Sequence, residues 1–262
     1  RTTRRQHADQ LKGYIYRQRR LIIAVKPTGY IGGVDPNSGD RQTVFGPEIG
    51  EFPNRGADEA SEKELKTGTT TVALATEDAV VLATDMRASG GRMVASKDVQ
   101  KVEEIHPTGA LTIAGSVSAA QNLISNLKAE VRLYESRRSE DMSMKALATL
   151  TGNFLRSGAF FIVSPLLGGV DDEGTHVYSL DPLGGTTEED YAVSGSGSPY
   201  ALGVLEQEYR EGLSVEEART VAVHAIQSAV ERDTASGNGL NLAVVTEEGV
   251  EIEKHKDLSE AL

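Results

Sequence analysis

A glycine followed by three threonines, Gly68 to Thr71, stands where the character of the chain changes. The residues before it are polar and broken by proline and glycine, whereas residues 69–262 form one well-patterned domain. If the chain is cut after Gly68, Thr69 becomes an N-terminus that carries both a hydroxyl nucleophile and an α-amine. That amine has an ordinary pKa of about 7.7–8.0, which suits a base near neutral pH. The alternative is that the threonines only begin a strand, because their branched Cβ favours extended backbone.

The amino-acid composition argues against several other kinds of catalytic site. The 262 residues contain no cysteine, which excludes disulfides, thiolate metal sites and a cysteine nucleophile. The five histidines are scattered, and no two stand at metal-ligand spacing, so neither a zinc site nor a serine–histidine–aspartate triad is predicted. No run of residues approaches the roughly 18 apolar residues of a membrane span.

Charge and proline content divide the chain into two unlike parts. Residues 1–26 hold eight lysines and arginines against one acid, whereas residues 69–262 hold 30 acids against 15 bases. A domain this acidic is not expected to bind nucleic acid, which requires a basic surface. Residues 27–68 contain four of the eight prolines, which argues against a packed unit. We therefore expect residues 1–68 to be a largely disordered leader and residues 69–262 to be the folded domain.

Hydrophobic periodicity after Thr69 predicts strands and helices in a symmetrical order. Strands are predicted at 70–76, 79–85, 92–96, 101–106, 110–116, 160–167, 176–181, 191–194, 241–246 and 250–253, and helices at 118–138, 143–156, 199–211 and 214–232. Ser214 and Glu217 form a capping box at the start of the last helix. This order predicts an α+β fold, a four-layer αββα sandwich in which two antiparallel sheets pack face to face between helix pairs.

Six short motifs, taken together, resemble those of a proteasome β subunit, most closely of the archaeal type. They are Gly68-Thr69-Thr70-Thr71-Val72, Ala83-Thr84-Asp85-Met86-Arg87, Ser96-Lys97 with Lys101, Ile113-Ala114-Gly115, Gly195-Ser196-Gly197-Ser198-Pro199 and Arg232-Asp233-Thr234-Ala235-Ser236-Gly237. The resemblance covers residues 69–262 in order. It implies the fold of the N-terminal-nucleophile hydrolases and the activity of a threonine endopeptidase, which is made as a self-processing precursor and degrades unfolded polypeptides.

The resemblance implies a role for each residue of the catalytic site. Thr69 matches the nucleophile, and its hydroxyl also attacks the Gly68 carbonyl to release residues 1–68. Lys101, 32 residues beyond Thr69, supplies a positive charge that favours the deprotonated hydroxyl and amine, and Asp85 pairs with it. The remaining members are Gly115, whose N–H faces the developing oxyanion, and Ser196, Asp233 and Ser236, which hydrogen-bond around the threonine amine. Taken alone, these last three also fit a turn and a helix end.

Substrate preference is predicted from the positions that match the family's first substrate pocket. They are Ala88, Ser89, Val99, Ile113 and Val117. All are small or apolar, so we expect cleavage after hydrophobic side chains. Glu103 lies near the same wall in the family and favours the alternative, cleavage after basic side chains. Arg87 also matches a family position, and a structural ion pair is the alternative role for it.

The resemblance also implies an assembly and its partners. Other β subunits complete seven-membered rings, α-subunit rings cap them, and an ATP-driven unfoldase delivers unfolded polypeptides to the cytoplasmic particle. No metal, cofactor, nucleic acid or membrane is expected. The alternatives are a bacterial relative with two β-like rings, a catalytically silent ring subunit and an α subunit. Silent β subunits tend to lack the threonine, the lysine or the glycine, and this chain has all of them.

Overall fold

The structure, a computed structural model, describes residues 68–160 and 162–262. Within these residues the strands are β1 (Thr70–Ala75), β2 (Val80–Asp85), β3 (Ala88–Gly90), β4 (Met93–Ser96), β5 (Val102–His106), β6 (Gly109–Thr112), β7 (Leu166–Asp171), β8 (Gly174–Leu180), β9 (Thr186–Glu188), β10 (Tyr191–Gly195), β11 (Leu240–Thr246) and β12 (Gly249–His255). The helices are α1 (Val117–Arg138), α2 (Met144–Arg156), α3 (Ser198–Glu208) and α4 (Val215–Arg232), and a short 3-10 helix spans Leu258–Ala261. The leader predicted for residues 1–68 lies outside the described residues, apart from Gly68. No helix in the described part of the chain is long and apolar enough to cross a membrane.

Two five-stranded antiparallel sheets form the centre of the domain. One has the strand order β10-β1-β2-β11-β12, and the other has the order β5-β6-β7-β8-β9. Strands β3 and β4 pair as a separate hairpin. In the first sheet, β1 and β2 pair with Thr71 opposite Thr84, as expected of the predicted hairpin.

The side chains of each strand point alternately to its two faces, and they form three buried layers. Successive strand residues point to opposite faces, so Ala73 lies between the two sheets while Val72 and Leu74 face α3 and α4. In the second sheet, Ala110 likewise faces the first sheet, and Leu111 packs under α1 and α2. The predicted four-layer αββα sandwich is therefore confirmed.

The helices begin and pack as their sequence patterns predict. Ser214 accepts a hydrogen bond from the Glu217 N–H while the Glu217 carboxylate accepts from the Ser214 N–H, which completes the predicted capping box of α4. Burying their apolar stripes against the sheets removes nonpolar surface from water, the main favourable term in folding. The buried side chains of α4 are Ala218, Val221, Ala222, Val223, Ala225, Ile226 and Ala229.

The predicted strand at 160–167 is wrong in position. Strand β7 begins only at Leu166, after Pro165, which has no N–H to donate to a ladder, and it continues to Asp171. Sequence reasoning ended the strand too early because Gly168 and Gly169 have low strand propensity. At Gly168 the two sheets approach so closely that a Cβ would lie 2.7 Å from Val80 Cγ1, so tight packing outweighs propensity.

Other differences concern element ends and short strands. The strand predicted at 110–116 ends at Thr112, before the turn that contains Gly115, and the helix predicted at 199–211 ends at Glu208 because Tyr209 is extended. Strands β3 and β9 were missed because each has three residues, too few for a period to be recognised.

Candidate active site

The first sheet places Thr69 and Asp85 side by side. Thr69 immediately precedes β1, and Asp85 is the last residue of β2, which pairs with β1 in antiparallel register. The Thr70 N–H donates to Asp85 Oδ1 over 3.0 Å. Lys101 enters from the second sheet, immediately before β5, and its own N–H donates to Asn241 Oδ1 on β11. Side chains from two sheets therefore converge at one point.

Lys101 joins Thr69 to Asp85. Its Nζ lies 2.8 Å from Thr69 Oγ1 and 2.7 Å from Asp85 Oδ1. Thr69 is 5% exposed, Lys101 1% and Asp85 0%. A charge this deeply buried requires hydrogen-bond partners, because desolvation otherwise outweighs any Coulombic gain.

Asp85 has those partners in full. Besides Lys101 Nζ and the Thr70 N–H, it accepts hydrogen bonds at Oδ2 from the backbone N–H groups of Arg87 and Gly237, each over 2.9 Å. The carboxylate is thus held in one orientation by donors at four points of the chain. It therefore serves as a rigid support for the lysine.

Burial lowers the pKa of Lys101. Desolvation is the largest cause, and it outweighs the opposing attraction of Asp85, which favours the ammonium form. At a given pH, Lys101 is therefore neutral more often than an exposed lysine. A neutral amine accepts a proton, so the pair formed by Lys101 Nζ and Thr69 Oγ1 can activate the hydroxyl.

A second set of side chains surrounds the Thr69 nitrogen. The Thr69 N–H donates to Ser196 Oγ over 3.1 Å, and Ser196 Oγ lies 2.6 Å from Asp233 Oδ2. The same carboxylate oxygen accepts from Ser236 Oγ over 2.6 Å, and Ser236 Oγ lies 2.7 Å from Thr70 Oγ1. Ser196 lies in the turn between β10 and α3, and Asp233 ends α4, which accounts for the turn and helix-end patterns of their motifs.

Gly115 lies in a turn that no other residue fits. Its φ is 109°, and a Cβ there would overlap the carbonyl oxygen of Ile162. An isolated bridge to Val163 holds this turn in place. The Ile113 N–H donates to the Lys101 carbonyl over 2.7 Å, so the segment 113–115 begins beside the lysine.

The five predicted pocket residues lie in different environments. Ala88 and Ser89 are half-buried on β3, Val99 is half-buried and follows β4, and Val117 is half-buried at the start of α1. Ile113 is buried and packs in the cluster beneath α1 and α2. Ser89 Oγ accepts a hydrogen bond of 3.0 Å from the Gly68 N–H, so it directly contacts the residue before the predicted cut.

Sequence reasoning missed Asn241 and Thr70. Asn241 is fully buried, and its Oδ1 accepts from both the Lys101 N–H and the Thr84 hydroxyl. A polar residue between two leucines of a buried strand was the available signal, because buried amides are retained where they have partners. Thr70 contacts both Asp85 and Ser236, but adjacent threonines gave no sign of which one would do so.

The described residues hold no metal cluster. Within 68–160 and 162–262, no group of three or more histidines, aspartates or glutamates could bind a metal ion. What the arrangement can do chemically is proton transfer between a lysine and a hydroxyl next to a peptide bond.

Gly68→Ala is expected to slow cleavage of the bond between Gly68 and Thr69 on the order of 10- to 100-fold. Moving reacting atoms by about 1 Å has effects of that size. A Cβ at residue 68 would overlap the Cβ of Ala235 and would lie 2.8 Å from Ser196 Oγ. The measurement is the time course of precursor conversion, followed by intact mass. The double variant Gly68→Ala/Ala235→Gly removes the overlap with Ala235 Cβ but not the contact with Ser196 Oγ, so it should recover part of the rate. Equal rates for the single and the double variant would contradict the steric explanation.

Comparison with known proteins agrees with this geometry. A family model described as "Proteasome subunit" matches residues 65–245. A curated proteasome subunit beta of Haloferax volcanii is 70% identical over 230 residues, which cover 87% of this chain and 95% of that protein. Proteins named proteasome subunit beta from Haloquadratum walsbyi and Halorubrum lacusprofundi are 70% and 68% identical, covering 87% and 90% of this chain and 95% and 99% of their own. This chain therefore belongs to the proteasome subunit family, as a β subunit.

Proposed function

We propose that this β subunit is a threonine endopeptidase that becomes active when its own N-terminal segment is removed after Gly68. The observation that carries the proposal is the 2.8 Å hydrogen bond between Lys101 Nζ and Thr69 Oγ1, with Asp85 buried behind the lysine. A hydroxyl is a weak nucleophile unless a neighbouring base takes its proton as it attacks. A buried amine within hydrogen-bond reach meets that requirement.

Self-cleavage uses Lys101 as the base. In the uncut chain the Thr69 nitrogen is an amide and cannot accept a proton. Neutral Lys101 takes the hydroxyl proton while Thr69 Oγ1 attacks the Gly68 carbonyl carbon. The C–N bond between the two residues breaks, the nitrogen receives a proton, and Gly68 becomes an ester on Oγ1. Water then hydrolyses the ester, which releases residues 1–68 and leaves residues 69–262 as the catalytic domain.

Cleavage of a polypeptide repeats these steps with a second base available. The freed Thr69 amine takes the place of the amide nitrogen that lies 3.1 Å from Ser196 Oγ, and Ser196 connects it to Asp233. Its ordinary pKa of about 7.7–8.0 allows it to relay a proton to the departing amine of the substrate. The substrate acyl group forms an ester on Thr69 Oγ1, and water hydrolyses it.

Gly115 stabilises the negative charge that develops on the carbonyl oxygen. Its N–H donates to no acceptor in the described part of the chain, so it is free to donate to a substrate. An N–H held in this way costs no reorganisation when the charge forms.

The subunit works inside an assembly. The curated relatives are named proteasome subunit beta, which supports association with further β subunits in seven-membered rings and with α-subunit rings. An ATP-driven unfoldase supplies unfolded polypeptides to this cytoplasmic particle. Enclosure explains how a protease without strict sequence preference is kept from folded proteins.

The test is the N-terminus of the assembled particle. The full chain, co-expressed with an α subunit, should yield β subunits that begin at Thr69, seen by N-terminal sequencing and as a loss of residues 1–68 from the intact mass of 28.0 kDa. An unprocessed chain in a mature particle would support a silent structural subunit instead. The same particle should hydrolyse fluorogenic peptides faster after Leu or Tyr than after Arg, because Ala88, Val99, Ile113 and Val117 are apolar. Faster turnover after Arg would instead indicate that Glu103 sets the preference of the pocket.

A further inference from the structure

The Arg87 side chain bridges two points of the loop that leads from α4 to β11. Its Nη1 donates to the Thr234 carbonyl and its Nε donates to Asn238 Oδ1, each over 2.8 Å. Ser236 lies midway between those two contact points. The planar guanidinium has donors in a rigid fork, which suits it to hold two acceptors at a fixed separation.

This loop needs an external support. Residues Gly237, Asn238 and Gly239 all have positive φ, at 150°, 67° and 120°. These three residues belong to no helix or strand, and Gly237 is held from outside the loop, where its carbonyl accepts from the Met86 N–H over 3.1 Å and its N–H donates to Asp85 Oδ2 over 2.9 Å. Asn238 is the only non-glycine residue among the three, and asparagine is one of the few that tolerates this region. The side-chain oxygen of this non-glycine residue is the atom to which Arg87 Nε donates.

Arg87 is not part of an ion pair in the described residues, which excludes that alternative within 68–160 and 162–262. Its guanidinium binds an amide oxygen and a backbone carbonyl, both of them neutral. Its backbone N–H donates to Asp85 Oδ2 over 2.9 Å. One residue therefore contacts both the carboxylate that supports Lys101 and the loop that carries Asp233 and Ser236.

We propose that Arg87 is a positioning residue that, through Asn238 and Thr234, fixes the loop containing Asp233 and Ser236 against the catalytic threonine. The inference rests on the proposed function and adds a positioning role to a residue whose charge adds to the effect of burial in lowering the pKa of Lys101. Asp233 Oδ2 reaches the Thr69 nitrogen only through Ser196 Oγ, over contacts of 2.6 and 3.1 Å. A shift of the loop by a fraction of that length breaks the connection.

Loss of the support that Arg87 gives the loop should affect the turnover number and not substrate binding. The side-chain hydrogen bonds of Arg87 go to Asn238 and Thr234, and none goes to Thr69 or to a predicted pocket residue, so loss of the bond to Asn238 should reduce kcat and leave KM unchanged. A loop needed only for folding would instead lower the unfolding temperature or prevent assembly.

The test compares two substitutions of Asn238 in the assembled particle. Asn238→Gly keeps the positive φ without strain but removes the acceptor for Arg87 Nε, and we expect kcat for a fluorogenic peptide to fall roughly 10- to 100-fold, the effect of small misplacement. Asn238→Asp retains an acceptor oxygen and tolerates the same φ, so it should recover most of that loss. In both variants KM should stay within about twofold and the unfolding temperature within a few degrees of the wild type.

Arg87→Lys is the second variant. Lysine keeps the charge but has one nitrogen, which cannot donate to Thr234 O and Asn238 Oδ1 in the fork geometry, so its kcat should fall as in Asn238→Gly. Wild-type kcat in Asn238→Gly, equal losses in Asn238→Gly and Asn238→Asp, or failure of Asn238→Gly to assemble would each overturn the inference. A wild-type particle without activity that depends on Thr69 would instead overturn the proposed function.

Discussion

Thr69→Ala is expected to retain residues 1–68 and to hydrolyse no peptide. The substitution removes the oxygen that Lys101 Nζ contacts at 2.8 Å, and no nucleophile remains beside the Gly68 carbonyl. Loss of a covalent nucleophile lowers turnover by at least about a thousandfold, here to background. Intact mass reports whether the leader is retained, and a fluorogenic peptide assay on the purified particle reports the activity.

Thr69→Ser is the matched control for this prediction. Serine keeps the hydroxyl but lacks the branched Cβ that restricts χ1, so its oxygen spends less time facing Lys101. We expect this variant to remove its leader and to keep a reduced peptidase activity. Normal processing in Thr69→Ala would disprove self-cleavage by Thr69.

Lys101→Met is expected to abolish both processing and peptidase activity. Methionine has a similar length but no amine, so Thr69 Oγ1 loses its base while the space remains filled. Because the pKa of Lys101 is lowered by burial, the wild-type rate of self-cleavage should increase with pH and level off at a lower pH than an ordinary lysine would give. At low pH the lysine is protonated and cannot accept the hydroxyl proton, which sets the sign of this dependence.

Instability of Lys101→Met must be separated from loss of catalysis. Removing one partner of a buried ion pair leaves the other charge uncompensated, typically at about 3–5 kcal/mol. The double variant Lys101→Met/Asp85→Asn removes both charges but turns an amide NH2 toward the backbone N–H groups that Asp85 accepts, so it should be no more stable than the single variant and should remain inactive. Recovery of turnover in the double variant, or retention of most turnover in the single one, would show that Lys101 does not activate the hydroxyl.

Much of the architecture was predictable because burial imposes a period on the sequence. The continuous β-rich runs of β1 and β2 follow from strands that are buried on both faces, and the apolar stripes of α1 and α4 follow from helices that bury one face. Strand β7 was misplaced because Gly168 packs closely against the first sheet and Gly169 against Met144 of α2, and a strand propensity does not record such contacts. Strands β3 and β9 were missed because three residues contain too little pattern.

The candidate site was predictable in its residue types but not in its full set of contacts. The motifs pointed to Thr69, Asp85 and Lys101, and the structure brings these three within hydrogen-bond distance. Asn241 was missed because its partner, the Lys101 N–H, is 140 residues away in sequence. For Arg87 an ion pair was the alternative, and the geometry provides two neutral acceptors instead.

By itself, the sequence determined the order of the elements, the layers they form and the threonine that could become a nucleophilic N-terminus. These depend on local periodicity and on the chemistry of single residues, both of which are written along the chain. Only the tertiary structure decided that Lys101 faces Thr69 from the opposite sheet, that Asp85 is held by four donors and that Arg87 supports the loop of Ser236. Those contacts join segments far apart in sequence, and their distances depend on how two twisted sheets pack, which no pattern along one chain encodes.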